Sequence, residues 1–158
     1  MNELNLRVAS FLKLLSMLMV LGSLMYMYAY VNDRMEFLNH SQGWLMNVSK
    51  SYIFYSALGV FAVFNLLLNV GLSIYKSAEG YNENSLLFRS KLQKDRIIMW
   101  FTYLLAAINL LITCSIIYVA FIRINEVNNQ MDYIYIPGFG LLILIGIIVG
   151  LIATIIKK

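Results

Sequence analysis

Charge is scarce in this chain. Only 13 % of its 158 residues are Asp, Glu, Lys or Arg, against 61 % hydrophobic. Soluble domains are about 25 % charged and about 45–50 % apolar, so a soluble globule could not cover this much oil with so few polar residues. Disorder is excluded more strongly, because it needs low hydrophobicity and high net charge. One proline argues against a loop-rich architecture. One cysteine excludes an intrachain disulfide, and one histidine leaves little to build a metal site from.

What is present is oil in long runs. A helix crosses a hydrocarbon core of about 30 Å with roughly 20 apolar residues. Four stretches qualify, at about 8–31, 51–75, 97–122 and 133–156. They are too long for barrel strands and lack their period-2 alternation. The expected fold class is therefore all-α: a single-domain polytopic membrane protein, a bundle of four transmembrane helices. Arg7 and Lys13 before an apolar run resemble a secretory signal, but no A-x-A-like site of small residues follows. The first span reads as a retained helix.

The Lys/Arg distribution sets the expected orientation. With both termini inside, nine basic residues are cytoplasmic and Arg34, Lys50 and Arg123 lie outside. The positive-inside rule then gives N-in/C-in. Tyrosines near the span ends, Tyr28, Tyr52 and Tyr135 among them, fit an interfacial aromatic belt. The loop Asn32–Lys50 is long and holds Met35, Phe37, Trp44 and Met46, so it is expected as a short interfacial helix or partner-facing loop. It also carries the sequons Asn39-His-Ser41 and Asn47-Val-Ser49. Ser85 is the expected N-cap of the third helix, and Pro137 suits the first turn of the fourth. Lys91, Lys94 and Arg96 form a basic cluster at the membrane edge, where anionic lipid is the expected partner.

Catalytic inventory is thin. His40 is alone in a loop, Cys114 is mid-span, and no phosphate loop, H-E-x-x-H or G-x-S-x-G occurs. The expectation is no enzyme, no catalytic residue, no cofactor, no metal and no nucleic acid. Transporters usually place an ionisable residue inside the bilayer, and the central part of each span has none. Lys13, near one end of the first span, is expected to snorkel to the headgroups. The polar groups within the spans are amides and hydroxyls: Asn65, Asn69 and Ser73 at i, i+4, i+8 on the second, Thr102, Asn109 and Thr113 on the third. An amide left unpaired in hydrocarbon is costly, so Asn65 and Asn109, both near mid-span, should turn inward and meet. Gly146, Gly150 and Thr154 form a small-residue face on the fourth span, suited to close helix packing.

Two functions follow as expectations. The first is a non-enzymatic subunit of a larger membrane complex, such as a transport, secretion or ion-driven energy-transducing machine, in a bacterial inner membrane. The alternative is a small self-associating channel or transporter lined by Asn65, Asn69, Asn109 and Thr113.

Overall fold

A computed structural model describes residues 3–31, 34–38, 45–78, 80, 87, 90–124 and 133–156. Within these, four helices run in the order α1 (Glu3–Tyr30), α2 (Lys50–Ser77), α3 (Lys91–Ile124) and α4 (Tyr135–Ile156). All four are long and apolar enough to cross a membrane. A hairpin of β1 (Arg34–Leu38) and β2 (Leu45–Ser49) joins α1 to α2.

That hairpin replaces the interfacial helix or loop read from the sequence. Its strands are antiparallel, in register from Arg34 opposite Ser49 to Leu38 opposite Leu45. The reason is visible in the residues. Arg-Met-Glu-Phe alternates polar and apolar, a period-2 pattern that a helix would scatter around its circumference. Both glycosylation sequons and His40 involve positions outside the described residues or side chains.

α3 is the hub. It packs along α1 on one side and α4 on another, while α2 rests on it more loosely and touches α1 little. The buried positions explain this. α1 buries Ala9, Ser16, Val20, Ser23 and Met27, and α3 buries Ile98, Thr102, Leu105, Asn109, Thr113, Ile116 and Ala120. Steps of three and four keep such residues on one seam. Most of these side chains are small or medium-sized, which lets helices approach closely where lipid gives no hydrophobic drive to associate. At the hairpin end the core is Val20, Leu24, Met27, Val31, Ile116 and Ala120, with Ile53, Ala57 and Phe61 of α2 packed against it.

Two lysines tie successive helices end to end. Lys50 opens α2 and sends its ammonium back to the Tyr28 and Val31 carbonyls at 3.3 and 3.5 Å. Lys94, in the first turn of α3, donates to the Lys76 and Ala78 carbonyls at 2.8 and 2.6 Å. Terminal carbonyls lack helical donors and carry the negative end of the dipole, so each lysine closes the helix before its own.

The helix starts are capped locally. Ser49 accepts from the Tyr52 N–H at 3.2 Å. Ser90 does the same for Gln93 at 3.2 Å, so α3 begins at Lys91. Ser85, the cap expected from the sequence, lies outside the described residues. Pro137 stands in the first turn of α4, where its missing N–H costs nothing. At about 1.5 Å per residue the 34 residues of α3 extend about 51 Å, well beyond a hydrocarbon core of about 30 Å.

Candidate functional site: a polar cluster inside the bundle

α1, α2 and α3 meet at a group of amides and hydroxyls buried among apolar side chains. Asn109 of α3 is wholly buried and Asn65 of α2 is 6 % exposed. They face each other as a reciprocal amide pair. Asn65 Nδ2 donates to Asn109 Oδ1 at 2.7 Å, and Asn109 Nδ2 donates to Asn65 Oδ1 at 3.3 Å.

Each amide has a second N–H, and each finds an acceptor. Asn65 Nδ2 also donates to the Phe61 carbonyl one turn earlier, at 2.9 Å. Asn109 Nδ2 reaches Ser16 Oγ of α1 at 3.3 Å. The Ser16 hydroxyl itself donates to the Lys13 carbonyl at 2.7 Å. Three helices are thereby joined through one node, and all four side-chain N–H groups of the pair are satisfied inside the chain. Buried polar groups need such closure, because a half-satisfied network in low dielectric is worse than an apolar core.

A second layer lies one turn away. Asn69 donates to the Asn65 carbonyl at 2.6 Å, and its Oδ1 accepts from the Lys13 ammonium. The snorkelling expected of Lys13 is not what the structure shows: the half-buried side chain crosses from α1 to α2 and ends on an amide. Its position, three residues from Ser16 on the same seam, was the available signal. Thr113 and Thr102 are buried but donate to carbonyls of their own helix, Asn109 at 3.0 Å and Ile98 at 2.8 Å. Thr113 therefore lies next to the node without bonding across it. Ser73 is exposed.

The small residues of α4 divide. Gly150 lies so close under the Trp100 ring that a Cβ there would overlap it. Gly140, which the sequence did not single out, is pressed against the Leu111 Cα, 3.0 Å from where its Cβ would be. Gly146 has nothing within 4 Å. Thr154 is half-buried and bonds the Gly150 carbonyl at 2.9 Å. The face toward α3 thus follows Ile136, Gly140, Ile143, Ile147, Gly150 and Thr154, and Gly146 is off it.

Of the basic cluster, Lys91 and Arg96 are exposed, while Lys94 is engaged at the end of α2. Among the described residues no three His, Cys, Asp or Glu side chains gather where a metal could be held. No protein family, no curated protein and no solved structure matches the chain.

Proposed function

We propose that this protein is a non-enzymatic integral membrane subunit of a larger membrane complex, resident in a bacterial inner membrane with both termini cytoplasmic. One observation carries the reading: the Asn65 and Asn109 amides spend all their hydrogens on acceptors inside the bundle. A permeation path needs polar groups left free to exchange with water or an ion. Here the Asn65–Asn109 pair, Ser16 and the Phe61 carbonyl form a closed set, which is how interhelical glue is built. That favours a scaffold over a pore lined by Asn65, Asn69, Asn109 and Thr113. Lys91 and Arg96 are the groups we assign to anionic lipid at the cytoplasmic surface.

Purification of the full-length protein in mild detergent, followed by mass spectrometry, tests the assignment. The expected result is stoichiometric foreign membrane subunits. A pure homo-oligomer that conducts ions or small solutes when reconstituted in vesicles overturns it and establishes the pore.

A further inference from the structure

On the hairpin side of the polar node, a groove of about 460 Å³ lies between α2 and α3. Ile53, Val60 and Phe64 of α2, Ile112 and Val119 of α3 and Leu144 of α4 line it. Two hydroxyls also line it, but each is already spent: Ser56 donates to the Ile53 carbonyl at 3.0 Å and Ser115 to the Leu111 carbonyl at 2.9 Å. A buried water needs two to four polar partners. This groove offers only the two hydroxyl oxygens, as acceptors, in an otherwise apolar lining, so it favours apolar contents over water.

Its dimensions decide what fills it. Ile53 to Phe64 on α2 and Ile108 to Val119 on α3 each advance about 16 Å at 1.5 Å per residue. That matches one leaflet, half of a hydrocarbon core of about 30 Å. Spread over this length, the volume open to the centre of a water-sized sphere is about 6 Å across, which makes the groove about 9 Å from wall to wall. A transmembrane helix needs about 10–12 Å. A methylene chain, about 4 Å across at carbon contact distance, fits. Tyr52, next in sequence to the lining residue Ile53, is exposed at the level where headgroups meet aromatic rings.

We propose that this groove binds a single acyl chain of a phospholipid from the leaflet on the hairpin side. The chain enters beside Tyr52 and ends near Phe64 and Ile108, next to the Asn65–Asn109 pair. The site is independent of the subunit assignment above, since it needs no protein partner.

The test is photo-crosslinking of the full-length protein in phosphatidylcholine vesicles containing a phospholipid with a diazirine in mid-chain, with adducts mapped by peptide mass spectrometry. Adducts should concentrate several-fold on the α2 and α3 segments of the groove over the exposed Leu142 and Val149 face of α4. Ser115→Trp, which fills the groove from α3, should abolish the excess while helical content and melting temperature persist. Val60→Trp does the same from the α2 wall and stands in if the first variant fails to fold. Even labelling of all lipid-facing helices, or an excess untouched by the filling variants, overturns the proposal. So does crosslinking of a second protein chain into the groove.

Discussion

Replacing Asn109 with Leu removes the centre of the polar node at nearly constant volume, and its cost can be worked bond by bond. Ser16 Oγ loses a donor but still donates to the Lys13 carbonyl. Asn65 Nδ2 loses one acceptor and keeps the Phe61 carbonyl. Asn65 Oδ1 loses its side-chain donor and is left buried without one. Interhelical hydrogen bonds in bilayers average about 0.6 kcal/mol and reach about 1.7. An orphaned buried acceptor costs about 1–3 kcal/mol. Together the expected destabilisation is about 2–4 kcal/mol, read from unfolding in mixed detergent–SDS micelles. Asn65→Leu should cost a similar amount. The double variant should cost less than the two summed, by a coupling of about 0.5–3 kcal/mol, because neither amide then remains unpaired. Thr113→Val, whose hydroxyl serves its own helix, should lie within about 1 kcal/mol of wild type. Strictly additive effects of Asn65→Leu and Asn109→Leu would refute the pairing.

On α4, Gly150→Leu should destabilise by about 1–3 kcal/mol through collision with Trp100, while Gly146→Leu should stay within about 0.5 kcal/mol; the same unfolding assay compares them, and equal costs would show that α4 is rotated from the orientation described. For threading, a cysteine introduced at Asn84 should react with an impermeant maleimide only after permeabilisation, and one at His40 in intact cells, both in a Cys114→Ser background. The opposite pattern would invert the orientation argued from nine basic residues against three.

The four helices were legible because hydrocarbon imposes a length and a composition that few other constraints imitate. The amides were legible by depth: Asn65 and Asn109 both fall near the middle of their spans, and the structure pairs them at 2.7 Å. Other features needed three dimensions. Lys13 looked like a snorkelling residue because its stem is flexible and its span end is close. Only the crossing of α1 past α2 puts Asn69 in its reach. The packed face of α4 departs from its G-x-x-x-G pattern for a related reason. A G-x-x-x-G pattern says that two positions are roughly aligned, not which of their neighbours lies toward the hub. Trp100 chooses Gly150, and Leu111 chooses Gly140. The alternation of residues 34–37 carries the strand signal, but four residues are too short a run to outweigh the apolar content that also suits an interfacial helix. Lys50 and Lys94 were counted as topology signals, and their second role depends on where the preceding helix stops.

The hub position of α3 bears on how the protein is made. α1 and α2 emerge first, yet α1 makes its main contacts with a helix still to come. Until then Ser16 and Asn65 await a partner that lies 44 residues beyond Asn65. At synthesis rates of about 5–20 residues per second, that interval is roughly 2–9 s, before any delay in insertion. During it, a helix pair whose Asn65 amide lacks its cross-helix partner stands in the membrane, held by the hairpin, by Lys50 at the end of α1 and by the Lys13–Asn69 bond. The nascent chain is thus most exposed to quality-control proteases between its second and third spans, and a ribosome pause there would lengthen the risk. Arrival of Asn109 ends it by closing three helices in one step.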